Sequence, residues 1–413
     1  MLAAKVLVLG NYKKHTLTVV RSLALAGYGV VLGRGEYRVL SQFSRHVSET
    51  WVHPDIEDHP EDFIVELVPF LSKRPDIQYV FPIGETDIVC LATHRHALPA
   101  SVGIVMPHPD ITNVCLNKAD AYALASRLGI PVAHMETAGN LDELQAAVNR
   151  AGYPCVIKPE NSLMPFFGKK ALILHSAVEH AAAFPRWPGD NVTVIVQEFM
   201  QGFRHNCNVA AWEGKLLAYF ETRTLRTDRA DYTGYSSYSI SCGPTPALRE
   251  YCERLLRKLH YSGVALVQFF VDDQRDRVSF LEINPRLGAS CGFPYRYGYD
   301  FPRLALDCVR RQRGEGPAPA AQTTPYPANK ASVWLLGDMS DIQRNLAAGH
   351  LQGGEAFRRL GTTFRQFLHA DHRPIWSWRD PLPACYEFSN IVLDLVKNCL
   401  SRLRCRRTAR HQF

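Results

Sequence analysis

The chain has 413 residues, a length that predicts two or three domains. Apolar residues make up 46% and charged residues 21% of it, which indicates a globular protein and excludes disordered, collagen-like and coiled-coil classes. Most of the net charge of +7 comes from residues 396–413, which hold six lysines and arginines and no acidic residue, so the near-neutral remainder does not predict a nucleic-acid-binding surface.

The eleven cysteines are scattered along the chain without a CxxC pair, which is typical of reduced core residues rather than of a disulfide or metal framework. No apolar segment approaches the roughly 20 residues of a membrane span. The N-terminus, "MLAAKVLVLGNY", has the pattern of a first strand rather than of a signal peptide. We therefore expect a cytoplasmic protein.

The first hundred or so residues alternate strand and helix patterns. "AKVLVLG" is a continuous apolar run before a glycine, as buried parallel strands are, and "HTLTVVRSLALAGYGV" follows with helical spacing and a second strand. "VELVPFLSKRPDIQYVFPIG" repeats the step from helix to strand. This part predicts a small open α/β sheet, and the absence of GxGxxG after the first strand gives no support to a dinucleotide site.

A different pattern begins with a predicted helix from about Asn117 to Leu128, which Gly129 and Pro131 end. Mixed strands and helices follow, which predicts an α+β unit. A Pro/Ala-rich connector near residues 314–330 comes next, and the remainder of the chain reads as mostly helical with two Trp-bearing turns.

Two apolar strands flank the polar turn "DDQRDR", residues 272–277, and predict a hairpin. Paired positions in an antiparallel hairpin sum to a constant, here about 549 or 550. Gln268 is therefore expected opposite Leu281 or Glu282.

Polar side chains gather at the end of the second hairpin strand. The strand period of two predicts that Glu282 and Asn284 share one face and continue the line of Val278 and Phe280. If Gln268 pairs with Glu282, three oxygen-bearing side chains converge, and such a set suits a hard cation such as Mg²⁺. The alternative is that the chain after Asn284 only starts a turn and that Glu282 faces solvent.

"FLEINPR", residues 280–286, resembles the signature strand of the ATP-grasp superfamily, as in carbamoyl phosphate synthetase, biotin carboxylase and D-alanine ligase. The resemblance implies that Glu282 and Asn284 hold the Mg²⁺ ions that bridge the ATP phosphates, with Mn²⁺ as an alternative ion. It also implies that Gln268 is a third ligand, of the carbamoyl phosphate synthetase type, and that Arg286 contacts phosphate or substrate.

Two lysines extend the resemblance. Lys118 stands in the first turn of its predicted helix, where a cation opposes the helix dipole, and Lys158 ends the strand "PCVIK". The residues alone leave open that both lysines are simply solvated. In ATP-grasp enzymes, a lysine before the helix that leads to "LGIP" and another in "VIKP" bind ATP phosphates, and this role is implied for Lys118 and Lys158.

The stretch "VQEFMQG", residues 196–202, resembles the hinge that holds adenine through backbone groups, with Glu198, Phe199 and Met200 as its positions. Relatives often carry a ribose-binding acid three residues after this glycine, and we expect His205 to take this cofactor-binding position in the present chain. Relatives also have a Gly-rich phosphate lid, whereas "ENSLMPFFGKKALIL" contains only Gly168.

Arginines precede a hydroxyl-rich loop in "TRTLRTDRADYTGYSSYS", where relatives position the acceptor and the γ-phosphate. Arginine forks fit carboxylate or phosphate groups bidentately. We expect Arg223 to act there, whereas a solvated basic loop is an equal alternative for Arg229.

The resemblance implies an ATP-grasp fold, of α/β and α+β class, with a mostly helical C-terminal segment. The implied division is an N-terminal pre-ATP-grasp domain at 1–112, an ATP-grasp domain at 113–313 with its lid at about 130–198, a linker at 314–330, and a helical segment with a basic tail at 331–413.

The implied function is an ATP-dependent carboxylate-amine ligase that acts on small molecules and releases ADP and phosphate. The alternatives are an ATP-binding module without turnover and a phosphotransferase that stops at the phosphorylated product. The C-terminal stretch from Phe388 to Leu403 shows a helical apolar stripe beside arginines. This stripe is expected to be a docking helix with a solvated basic end, rather than a contact with an anionic membrane.

Overall fold

The computed structural model describes residues 4–10, 14–161, 166–167, 171–184, 187, 192–229, 234–390 and 393. The predicted lid glycine, Gly168, and the basic tail lie outside the described residues. Within the described ranges, no helix is long and apolar enough to cross a membrane.

The N-terminal part is a five-stranded parallel sheet in the order β3-β2-β1-β4-β5. Its strands are β1 (Lys5–Leu9), β2 (Gly29–Arg34), β3 (Glu49–Val52), β4 (Ile77–Pro82) and β5 (Gly103–Ile104). Its helices are α1 (Lys14–Leu25), α2 (Pro60–Ser72) and α3 (Glu85–Thr93). Residues 6–9 are fully buried, because helices cover both faces of the sheet, and this explains the continuous apolar run of β1. The predicted open α/β sheet is confirmed.

Two helices, α4 (Pro109–Leu116) and α5 (Lys118–Arg127), lead to a four-stranded antiparallel sheet in the order β6-β9-β7-β8. This small sheet, the lid sheet, has its own apolar core. Its elements are β6 (Met135–Ala138), α6 (Leu141–Ala151), β7 (Cys155–Pro159), β8 (Leu172–Leu174), α7 (Ala177–Ala183) and β9 (Val194–Glu198).

The third sheet, the central sheet, has six antiparallel strands in the order β14-β13-β10-β11-β12-β15. Its strands are β10 (Phe203–Trp212), β11 (Lys215–Thr227), β12 (Ser236–Cys242), β13 (Gly263–Asp272), β14 (Arg277–Asn284) and β15 (Ala331–Val333). Its helices are α8 (Pro246–Lys258), α9 (Gly292–Arg296) and α10 (Phe301–Gln312).

The C-terminal segment is built onto the central sheet. Strand β15 extends that sheet at β12, and then come α11 (Leu335–Ala347), α12 (Gly353–His369) and a helical stretch over residues 382–390. The predicted helices are present, but the sequence pattern did not indicate the strand at the start of this segment. Three residues are too short a run for periodicity to reveal.

Apolar packing and buried acids hold these parts together. Val6 and Val8 of β1 share one core with Phe220 of the central sheet. Asp380 lies buried against the N-terminal part, where it accepts hydrogen bonds from Ser44 Oγ at 2.7 Å and Arg21 Nε at 2.9 Å. The C-terminal segment is therefore tied to the N-terminal sheet as well as to the central one.

Removing the Asp380 carboxylate should destabilise the protein. We expect Asp380→Ala to lower the free energy of unfolding by about 3 kcal/mol at neutral pH, because the half-buried Arg21 loses its carboxylate partner and keeps only backbone carbonyls. Urea denaturation should show the loss, and Glu66→Ala, an exposed acid on α2, should leave stability almost unchanged.

The loss should depend on pH. Burial alone would raise the pKa of Asp380, but the bonds from Ser44, Arg45 and Arg21 outweigh burial and lower it. A carboxyl whose folded pKa is lowered stabilises the protein above its unfolded pKa, near 4, and this stabilisation is lost as pH falls through the folded value. A difference between wild type and Asp380→Ala that grows in acid would contradict this account.

Candidate active site

A cavity of about 580 Å³ lies where the three sheets meet. The lid sheet contributes Val156 and Ile173, the central sheet contributes Leu266 and Phe270, and the N-terminal part contributes Glu85. This volume falls in the usual range of small-molecule sites. Most of the residues singled out from the sequence line this cavity.

The hairpin of β13 and β14 forms the floor of the cavity. Gln268 pairs with Glu282, one of its two predicted partners, and Leu266 pairs with Asn284, so both pairs sum to 550. Beyond a β-bulge, Phe269 pairs with Phe280 and the sum becomes 549. Each of the two predicted sums therefore holds on one side of the bulge.

The bulge also corrects one expectation. Val278 and Phe280 do not continue the face of Glu282 and Asn284; Phe280 packs in the core beside Ile283. The residue left unpaired by the bulge is Leu281, which reverses the alternation of side chains at that point. Its carbonyl accepts a hydrogen bond from Tyr122 Oη at 2.5 Å.

The three predicted metal ligands, Gln268, Glu282 and Asn284, all line the cavity. Asn284 Nδ2 donates to Glu282 Oε1 at 2.9 Å, and Gln268 Nε2 donates to Asn206 Oδ1. Because the amide nitrogens are used in these bonds, the oxygen atoms are the groups available to a ligand. Carboxylate and carboxamide oxygens on one face fit a hard cation such as Mg²⁺.

Arg286 is partly buried at the edge of this cluster and pairs with Glu85 of α3, with Nη2 2.6 Å from Oε1. Burial lowers the pKa of Arg286, but Glu85 outweighs burial and raises it. Both residues line the cavity, so this ion pair fixes the guanidinium of Arg286 against the N-terminal part.

Lys158 and Lys118 enter the cavity from the lid side. Lys158 Nζ donates to Tyr122 Oη at 2.7 Å and to Gln197 Oε1 at 2.9 Å. Lys118 Nζ donates to the Pro159 carbonyl at 3.1 Å. Burial lowers the pKa of Lys158 to about 8, with Glu282 opposing the change. The partners of Lys158 here are neutral groups, so an anionic ligand would stabilise its charged form.

The predicted hinge residues Glu198, Phe199 and Met200 line the cavity after β9. The Glu198 carboxylate pairs with Arg277 of β14 at 3.2 Å, which links the lid sheet to the central sheet. Met200 is buried, so this wall is partly apolar, as a purine site requires.

His205 is not among the cavity-lining residues that the structure describes, whereas its neighbours Arg204 and Asn206 are. Alternation along β10 turns the His205 ring to the other side of the sheet, where Nδ1 lies 2.7 Å from Glu221 Oε1. The expectation that His205 occupies the ribose position is therefore corrected.

The group of His205, Glu221 and Cys242 has the ligand types of a metal site, but Glu221 is already saturated. Besides His205, it accepts bonds from Tyr219 Oη, the Thr245 hydroxyl and the Thr245 backbone amide. We interpret this carboxylate as a structural anchor for the start of α8.

The expectation for Arg223 is also corrected. Its guanidinium pairs with Asp273 Oδ2 at 3.0 Å and lies over the Phe203 ring, and it is not among the described cavity-lining residues. Thr224 lines the cavity instead, because adjacent strand residues face opposite sides. Arg229, for which solvation was an equal alternative, does line the cavity.

Two positively charged side chains that line the cavity, those of Lys14 and Arg204, were not predicted from the sequence. Lys14 begins α1, is buried, and donates through Nζ to the Ser236 carbonyl at 2.8 Å, with the Trp334 ring centroid 4.1 Å away. Burial lowers the pKa of Lys14 to about 8. Arg204 donates to the Gly234 carbonyl at 2.9 Å, and burial lowers its pKa as well. The position of Lys14 after β1, where parallel strands end and ligands bind, was the available signal.

The model of the ATP-grasp domain family matches residues 123–292, which include the hairpin, Lys158 and the hinge. Two curated relatives are formate-dependent phosphoribosylglycinamide formyltransferases. The one from Chlorobium phaeobacteroides is 30% identical over 48% of this chain and 52% of its own length. The one from Chlorobaculum tepidum is 30% identical over 52% of this chain and 54% of its own. The chain spans about half the length of the curated relatives it matches.

Solved structures share the fold at low sequence identity. A biotin carboxylase from Campylobacter jejuni superimposes with a TM-score of 0.59 at 15% identity, over 79% of this chain and 74% of that one. An L-amino acid ligase from Bacillus licheniformis gives a TM-score of 0.58 at 15% identity, over 75% of each chain. Residues 123–292 therefore match an ATP-grasp domain, and the chain shares the fold of these solved structures.

Proposed function

We propose that the protein is an ATP-dependent carboxylate-amine ligase. The observation that carries this proposal is the Gln268, Glu282 and Asn284 cluster, which shares one cavity with Lys118 and Lys158. A set of oxygen ligands beside two buried ammonium groups suits a polyphosphate with a divalent cation. Similarity to enzymes named formyltransferase and L-amino acid ligase supports the same reaction class.

In this proposal, Gln268, Glu282 and Asn284 hold Mg²⁺, with Mn²⁺ as a substitute. When bound, the cation neutralises charge on the ATP phosphates. Lys118 and Lys158 bind the phosphates from the lid side, and Phe199 and Met200 form the adenine wall with backbone groups near Glu198.

Lys14, Arg204 and Arg286 line the same cavity. We assign them to the carboxylate substrate and to the charge that develops on the transferred phosphoryl group. A carboxylate oxygen attacks the γ-phosphorus, the bond to ADP breaks, and an acyl phosphate forms. The amine nitrogen then attacks the acyl carbon, and phosphate leaves with the former carboxylate oxygen.

The substrates proposed here are small molecules that diffuse to a cavity of about 580 Å³, and we place the enzyme in the cytoplasm. The carboxylate component should be small, since ATP occupies much of this volume. The relatives are named as formate-dependent, which makes formate a rational first acid to test.

A coupled assay of ADP release, run on pairs of acids and amines, tests the reaction class. We expect release of ADP and phosphate to require Mg²⁺, one acid and one amine together. Release of AMP and pyrophosphate would contradict the proposal. ATP binding without turnover across a broad panel would favour a binding module, and phosphate transfer that is complete without amine would favour a phosphotransferase.

The lysine pKa values predict a pH dependence of nucleotide binding. In EDTA, ATP affinity should fall as pH rises through about 8, because Lys158 loses the charge that attracts phosphate. Isothermal calorimetry at pH 7 and pH 9 measures the fall, which Lys158→Arg should abolish, because arginine stays charged over this range.

The matched control for this measurement is Lys14→Arg, because the pKa of Lys14 is also lowered to about 8. If Lys158 binds the phosphates and Lys14 binds the substrate, Lys14→Arg should keep the fall in ATP affinity. If the fall in ATP affinity disappears in Lys14→Arg but persists in Lys158→Arg, then Lys14 binds the phosphates and the proposed assignment is wrong.

A further inference from the structure

Helix α12 exposes an apolar stripe to solvent. Phe357, Leu360, Phe364 and Leu368 recur at spacings of three and four residues and therefore share one side of the helix. Their exposed fractions are 79%, 37%, 52% and 55%. The helix packs on the protein through a different side, where Ala356 and Thr363 are buried. Exposed aromatic residues in such a row are uncommon in a monomeric protein and indicate an interaction surface.

Basic residues accompany the stripe. Arg358, Arg359 and Arg365 are exposed on the same helix, and Arg358 and Arg365 are seven residues apart, so they follow one flank of the stripe. Glu355, in the first turn, is the single acidic residue of α12. The surface therefore combines apolar area with positive charge.

Two tryptophans lie near the C-terminal end of this helix. Arg373 donates to the carbonyls of Phe367 and Leu368 and so holds the following turn against α12. Three and five residues later, Trp376 and Trp378 are exposed by 38% and 83%, and their rings meet edge to face at 5.1 Å. We define the α12 face as Phe357, Leu360, Phe364 and Leu368, with the two tryptophans exposed in the segment that follows the helix.

We propose that the α12 face docks on the surface of an anionic membrane, with the helix parallel to the bilayer plane. Phenylalanine and leucine on one side of a helix, arginine on its flank and tryptophan at the end are the features of interfacial helices. Six basic residues in the sequence 396–413 would add to the attraction of anionic lipid headgroups. The proposed ligase reaction does not require this contact, so the two proposals stand or fall separately.

Charge favours a lipid surface over a second copy of the chain. In a symmetric pair of α12 faces, Arg358 and Arg365 of one helix would meet the same two positive charges of the other, with a single glutamate on each helix to offset them. An anionic bilayer satisfies the arginines and covers the apolar stripe at the same time.

Vesicle sedimentation of the full chain tests this proposal. We expect binding to vesicles of phosphatidylcholine with phosphatidylserine and weaker binding to phosphatidylcholine alone. The double variant Phe357→Ser with Phe364→Ser should lower the binding constant by at least about tenfold. The matched control, Val65→Ser with Val178→Ser, removes two valines that are 72% and 79% exposed elsewhere and should bind as wild type does.

Several outcomes would overturn the proposal. These are no binding of wild type to the anionic vesicles, equal binding of the phenylalanine variant, or binding that is lost on deleting residues 401–413 but not in the phenylalanine variant. Wild-type self-association in size-exclusion chromatography that the phenylalanine variant abolishes would assign the α12 face to a second copy. Circular dichroism melting should confirm that both double variants fold, as expected for exposed positions.

Discussion

The pairing of Gln268 with Glu282 across β13 and β14 is the constraint on which the candidate site depends. This register directs Gln268, Glu282 and Asn284 into one cavity. The bulge at Leu281 then turns Phe280 into the core, so the same short strand supplies both polar ligands and apolar packing. A slip of one residue would send the carboxylate to the opposite face and remove the proposed cation site.

The remaining walls of the cavity are set by contacts between distant parts of the chain. Arg286 is fixed by Glu85 of the N-terminal part, and Lys158 is fixed by Tyr122 and Gln197. The C-terminal segment contacts Lys14, one of the cavity-lining residues, through the ring of Trp334. Nearby, Asp338 is buried and accepts bonds from Arg226 and Ser237, which anchors α11 to β11 and β12. The cavity is therefore built from all three parts of the chain that carry the sheets, and the C-terminal segment supports two of them from outside.

The sequence predicted those parts of the site that local pattern determines. Turn position limited the partner of Gln268 to Leu281 or Glu282, because hairpin register follows from simple counting. The sequence pattern did not predict the bulge. It also led us to expect His205 and Arg223 at the cavity, although strand alternation directs both side chains away from the cavity. Lys14 was missed because its place in the cavity depends on packing between segments more than 200 residues apart, which no local pattern encodes.

The central claim is that the hairpin cluster holds a divalent cation against the phosphates of ATP. The most direct measurement is the affinity for ATP with and without Mg²⁺, by calorimetry, in wild type, in Glu282→Gln and in the surface control Glu250→Gln on α8. Glu282→Gln removes a charge from the proposed cation site with little change in shape. This change to one metal ligand should weaken cation binding by at least about tenfold. The account predicts that Mg²⁺ strengthens ATP binding in wild type and in the control but not in Glu282→Gln; equal strengthening in all three proteins would contradict it.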